Sequence, residues 1–220
     1  MRRTLALFVP LFALLGACAE LEELSLQTGA EPEAAAETQA TLAPPEAYAS
    51  RADRGRMIPA IDIAAFDEGL LRQRVRYETA ELPGTIVIDT ANYHLYFVEE
   101  NGWAIRYGVA IGREGFGWTG TGVIRRRAAW PTWTPPAEMI ARDPSLERHA
   151  DGMPGGPRNP LGARALYVYQ GGADTLIRVH GTNSPRSIGH KASSGCFRML
   201  NQDVIDLYNR VPQGAKIIVI

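Results

Sequence analysis

From Gly84 the chain settles into an alternation of apolar and polar positions that fits strands. The stretch TIVIDTANYHLYFVEENGWAIRYGVAIG predicts β-strands over residues 85–89, 94–99 and 104–111. Short turns, TAN and ENG, join them as hairpins. GVIRRRAAW, RALYVY and TLIRV predict three more strands, and AKIIVI closes the chain as a buried one. Between TLIRV and AKIIVI, NQDVIDLYNRV has a helical apolar side at Val204, Ile205 and Tyr208, with Asn201 placed to cap its start. IDIAAFDEGLLRQRVRYETAELPG upstream predicts a short helix over 64–71 and an extended lead-in. Residues 131–163 break the pattern. They are dense in Pro and Gly, and a loop of that length is usually functional. The pattern as a whole predicts a mostly β domain with minor helix.

The first residues behave differently. Two arginines precede an apolar run from Leu5 to Ala17, which suits a signal-peptide core and is short for a bilayer span. The run ends in LLGAC, which resembles the lipobox of bacterial lipoproteins and would make Cys18 a lipidated mature N-terminus; an incidental cysteine near an ordinary cleavage site is the alternative. The resemblance implies export to the periplasm and a membrane held through lipid. Ala19 in place of aspartate favours the outer membrane over the inner by the enterobacterial sorting rule. Residues 19–50 carry seven glutamates, no lysine or arginine and no apolar periodicity. Such composition cannot offset ordering entropy, so residues 18–56 are expected to form an acidic tether spanning ~35 Å on average. The expected organisation is therefore 1–17 signal peptide, 18–56 tether, 57–82 helix and lead-in, and 83–220 main domain.

Composition narrows the partners. The 23 basic and 24 acidic side chains nearly cancel, which argues against nucleic acid. If Cys18 is lipidated, Cys196 is the one thiol of the mature chain and has no disulfide partner within it.

Cys196 stands in KASSGCFR, not in an apolar run, and His180 precedes it by sixteen positions at the end of a strand-like segment. A thiol is mostly protonated at neutral pH, and a neighbouring imidazole can lower its pKa and generate the nucleophile. The amides of Gly195 and Cys196 are placed to hold an oxyanion, and Arg198 could bind a carboxylate bidentately. His94, His149, His180 and His190 show no metal-ligand spacing, so no metal is expected.

HGTN followed by SSGCFRM resembles the L,D-transpeptidase (YkuD-type) catalytic domain of bacterial cell-wall enzymes. Further blocks (GTIVIDTANYHLYFVEENGWAIRYGVAIGREG, WPTWTPPAEMI and GGPRNPLGARALY) extend the likeness over 83–220. The resemblance implies a β-rich, sandwich-like fold and a cysteine that attacks a peptidoglycan stem peptide. Cys196 would take the nucleophile position, His180 the base, and Gly181 the place whose carbonyl orients the imidazole. Gly195, Ser194 and Arg198 would line the substrate side. Many members carry histidine where Ser194 stands, so a second imidazole beside the thiol is missing here.

The implied reaction releases the terminal D-alanine of a tetrapeptide stem and joins the third residue to an amine of a second stem, a 3→3 cross-link. No cofactor is implied, and the chain is expected to act as a monomer. Within enzymes, the acceptor could instead be water, giving a carboxypeptidase or cross-link-cleaving amidase, or an amine of a protein. The rival from another class is a silent peptidoglycan-binding lipoprotein, against which the Cys–His–Arg set argues. The loop 131–163 is expected to pack over the His180–Cys196 groove and exclude water. The run Arg125, Arg126, Arg127 reads as a solvated strand face.

Overall fold

The computed structural model describes residues 41–113 and 117–220. The expected signal peptide and Cys18 lie outside the described residues. Among the described residues β8 (Ile111–Gly112) and β12 (Lys191–Ser193) form a separate pair, and a mixed ten-stranded sheet begins at the edge with β1 (Thr41–Leu42) and continues in the order β4-β7-β6-β5-β14-β9-β10-β11-β13. Its first arm holds β4 (Gln73–Arg76), β5 (Ile86–Asp89), β6 (His94–Val98) and β7 (Trp103–Gly108). The other arm holds β9 (Gly120–Ala129), β10 (Arg164–Gln170), β11 (Ala173–His180) and the short β13 (Phe197–Arg198). β14 (Lys216–Val219) joins the arms, parallel to β5 and antiparallel to β9. β14 and its neighbour β5 are thus central, which explains why both AKIIVI and TIVID are nearly continuous in apolar residues.

One core serves both arms. Ile86, Leu95 and Tyr107 from the first arm share a cluster with Ile124, Leu166 and Val179 from the second. The sheet therefore curls around a common interior, as the β-rich expectation required. Helix α2 (Asn201–Arg210) adds Val204 and Leu207 to that interior. The Arg127 guanidinium donates to the carbonyls of Tyr208 and Val211, satisfying the open C-terminal end of α2. The middle arginine run is accordingly not one solvated face.

Three expectations about local structure need correction. The tether does not reach Arg56, because β1 (Thr41–Leu42) already pairs with β4 and Tyr48 is buried at 1% exposure. A hairpin of β2 (Arg51–Asp53) and β3 (Arg56–Ile58) follows, with Ile58 packed against Trp130, Ala163 and Ile205. Asp53 accepts from Arg164 at 2.7 and 2.8 Å and from the Trp130 indole at 2.7 Å. The helix expected over 64–71 is two separate 3-10 turns, Ile63–Ala65 and Glu68–Leu70. Asp62 accepts from the Ala64 amide and caps the first turn. Finally, Leu200, not Asn201, occupies the cap position of α2. The loop 131–163 contains a short helix α1 (Ala137–Arg142) and a 3-10 turn (Pro144–His149).

Candidate active site

His180 ends β11 and lies between Ala165 of β10 and Arg198 of β13. Parallel pairing of Val179 with Phe197 and of His180 with Arg198 fixes which side chains share a face. Val179 and Phe197 point into the core. His180 and Arg198 therefore occupy the opposite face, since successive strand residues alternate. Cys196 immediately precedes β13, and the Arg178 backbone and charge both act on its thiol. Sequence had brought His180, Cys196 and Arg198 together by type; the strand register sets His180 beside Arg198.

The imidazole is oriented by its own neighbour. His180 Nδ1 lies 2.6 Å from the Gly181 carbonyl oxygen. A carbonyl only accepts, so Nδ1 carries the proton and Nε2 keeps its lone pair. Gly181 itself has no room for a side chain, because a Cβ there would stand 2.2 Å from Asn201 Oδ1. Asn201 holds that turn in place: its Oδ1 accepts from the Ala163 amide at 2.9 Å and its Nδ2 donates to the Thr182 carbonyl at 2.8 Å. A residue read as a helix cap is thus a staple between the base-bearing turn and the end of the long loop. Buried Asn159 folds that loop, donating to Pro131 and Met153 carbonyls and accepting from the Leu161 amide.

Cys196 sits at the end of a tight turn. Gly195 has φ +117°, which L side chains rarely adopt. Ser193, unremarked in the sequence, organises the turn: its hydroxyl donates to the Cys196 carbonyl and accepts from the Gly195 amide at 3.2 Å. The Gly195 N–H, expected to face an oxyanion, is thereby turned to an internal contact. Ser194 is exposed at the front of the turn. The half-buried Cys196 thiol points to the edge of β11, with Sγ 3.7 Å from the Leu176 carbonyl oxygen. Leu176 is held in the left-handed region at φ +62° and is 75% exposed, within a bulge opposite Val168.

Electrostatics correct one further expectation. Burial pushes the Cys196 thiol up, against the weaker downward pull of Arg178 and Arg198. Burial also pushes His180 down to about 4, and Arg198 and Arg178 act in the same direction. The Gly181 carbonyl, and more weakly that of Leu161 from the long loop, oppose this. The resting pair is therefore a neutral thiol and a neutral imidazole, not a thiolate–imidazolium pair. Burial also lowers the pKa of the half-buried Arg198, with Arg113 nearby. The long loop reaches the site through its end, where Gly162 packs on Gly181 and Thr182. Its distal part folds on itself, with Trp133 bridged to Met153 and near the His149 ring.

A mainly β domain thus sets a buried, carbonyl-oriented histidine at one sheet edge beside the strand that follows a cysteine-bearing turn. The L,D-transpeptidase catalytic domain family (YkuD) matches residues 83–219, and the chain belongs to that family. It is 36% identical over 143 residues to the probable L,D-transpeptidase YbiS of Escherichia coli K12, a match covering 60% of this chain and 43% of that protein. It is 32% identical over 144 residues to the probable L,D-transpeptidase ErfK/SrfK of the same strain, covering 61% of this chain and 43% of that protein. The chain thus spans less than half the length of these curated relatives. A solved structure from Brucella melitensis, described as a probable carnitine operon oxidoreductase, is 48% identical, covers 72% of this chain and 99% of its own, and has a TM-score of 0.49. L,D-transpeptidase 3 of Mycobacterium tuberculosis is 14% identical, covering 62% of this chain and 60% of its own, with a TM-score of 0.43.

Proposed function

We propose that the chain is a peptidoglycan L,D-transpeptidase that forms 3→3 cross-links through a thioester on Cys196. The observation that supports the reading is the pairing of His180 with Arg198, two residues beyond Cys196, together with a His180 ring whose Nδ1 is held on the Gly181 carbonyl, leaving Nε2 unprotonated. On binding a tetrapeptide stem, the thiol exchanges the Leu176 carbonyl for His180 Nε2 and gives up its proton as sulfur attacks the third-residue carbonyl. The Cys196 amide is left to hold the oxyanion, since that of Gly195 is engaged with Ser193. His180 then returns the proton to the departing D-alanine amine, leaving the thioester. An amine of a second stem attacks it, gives its proton to His180 and restores the thiol. Arg198 binds a stem carboxylate on the same face.

Tethering would keep this chemistry near the wall: Cys18 carries the lipid in this reading, and the protein works in the periplasm at the outer membrane. Purified protein incubated with defined muropeptides, with products read by mass spectrometry, tests the reaction. A cross-linked dimer with D-alanine release is the expected outcome. Hydrolysed tripeptide alone would make water the acceptor, and unchanged substrate would leave only a binding role.

A further inference from the structure

Two rows of side chains cross the face that bears His180. One runs Ala128–Ala165–His180–Arg198 through β9, β10, β11 and β13. The neighbouring row runs Arg126–Tyr167–Arg178, and Arg178 acts on the Cys196 thiol. In the second row the Arg126 guanidinium carbon lies 4.4 Å from the Tyr167 ring centroid, and that of Arg178 lies 4.3 Å from it. The ring holds both cations on the thiol side of the sheet.

The two arginines are not equivalent. Arg178 donates twice to Asp174, at 2.6 and 2.8 Å, so that pair is nearly neutral. Asp174 also lies near enough to feel Arg126. Arg126 is exposed and, among the described residues, makes no hydrogen bond or ion pair of its own. Its neighbours in sequence are used otherwise, Arg127 at the end of α2 and Arg125 at a shift in the β9–β10 register. The row therefore keeps one net positive charge, fixed by stacking and free to accept an anion.

Adjacent strands stand ~4.8 Å apart, so cations leaning on Tyr167 lie about two spacings, ~10 Å, from the Cys196 strand. A donor peptide with its third-residue carbonyl at the thiol carries carboxylates within that reach. We propose that Arg126 is a specificity-determining residue that binds a carboxylate of the acyl donor about 10 Å from the attacked carbonyl. This assignment rests on the stem-peptide reading. Two of the donor's carboxylates offer that chemistry at that distance, the side-chain end of the third residue, when it is a diamino diacid, and the free carboxylate of the second residue; the D-alanine carboxylate, two bonds from the scissile nitrogen, lies too close to the attacked carbonyl.

The test measures donor binding by titration calorimetry to Cys196→Ala protein, which cannot turn over, with Arg126 intact and with Arg126→Gln. Four synthetic tetrapeptides are compared: both carboxylates free, either one amidated, and both amidated. With Arg126 intact, amidating the carboxylate it binds should weaken binding about 10-fold, and that loss, unlike one due to Arg198, should vanish in Arg126→Gln. Arg126→Gln should weaken the fully free donor by the same factor and leave the donor amidated at that position unaffected. Equal affinity of the two proteins for every donor would overturn the assignment. So would an equal loss on all four donors, which would mark Arg126 as structural. If no donor binds either protein, the stem-peptide reading falls, and this assignment with it.

Discussion

Alkylation of Cys196 as a function of pH reads the charge state of the resting pair. The ordinary thiol value is 9.0 and burial pushes Cys196 above it. Iodoacetamide reacts with the thiolate, whose fraction at pH 7 is then below about 1%. The labelling rate should rise about tenfold per pH unit from pH 6 to 9 without a plateau. An ion pair with His180 would instead give a plateau beginning near pH 5, since the thiolate would persist between the two titrations. His180→Ala discriminates further. With a neutral pair there is no imidazolium to lose, so labelling at pH 7 should change by less than about threefold, whereas turnover should fall about 10²–10⁴-fold. A plateau in the native protein that disappears in His180→Ala would refute the neutral pair and restore the low-pKa thiol expected from sequence.

Gly181→Ala would force a methyl carbon to 2.2 Å from Asn201 Oδ1; it should cost about 1–3 kcal/mol in urea melts and reduce turnover further by moving the imidazole. An unchanged midpoint would show that the turn has room to relax. Asp203, buried beneath Tyr48 and Arg72, has its pKa raised to about 7 by burial. A raised folded-state value means stability present below pH 4 and lost as pH rises through about 7. Asp203→Asn should flatten that dependence and be the more stable protein at pH 8, by at most about 4 kcal/mol; parallel melts at pH 5 and 8 check it, and equal slopes would be the contrary result. The long loop meets the site through Gly162 while its distal part folds on itself, so removing residues 142–152 should leave the ratio of cross-link to hydrolysis unchanged, as resolved by mass spectrometry. A shift towards hydrolysis in a folded variant would show that the distal part excludes water from the thiol.

Strands and chemistry were legible because each is written locally. The alternation around Leu95 and Phe97 shows a half-buried strand, and the apolar runs at Ile86 and Ile217 show buried ones. Cys196 stood out in a run too polar to hide a thiol and His180 at the end of a strand-like segment, whereas Gly181 entered only through the family resemblance. What escaped depends on partners far along the chain. Tyr48 donates to Asp203 and Asp53 meets Arg164, and nothing in an acidic, Pro- and Ala-rich segment announces contacts across that distance. Asn201 had a respectable local role as a cap, which the competing amide of Ala163 and carbonyl of Thr182 displaced. Arg125 to Arg127 read as one charged run, yet strand alternation sends Arg126 to the thiol face and Arg127 to the helix. The direction of the thiol shift was likewise out of reach, since it is set by burial and not by the imidazole that sequence places nearby.

The central claim is that Cys196 carries the acyl group, and intact-protein mass spectrometry during turnover of a tetrapeptide stem tests it most directly. Native protein mixed with excess donor whose side-chain amine is acetylated, so that it cannot act as acceptor, should gain the mass of that stem less D-alanine. The added mass should map to the peptide containing Cys196 and disappear when an amine acceptor is added. Cys196→Ser, folded as judged by its melt, should gain nothing and release no D-alanine. Full release of D-alanine by that variant, or an adduct mapping elsewhere in the native protein, would contradict the account.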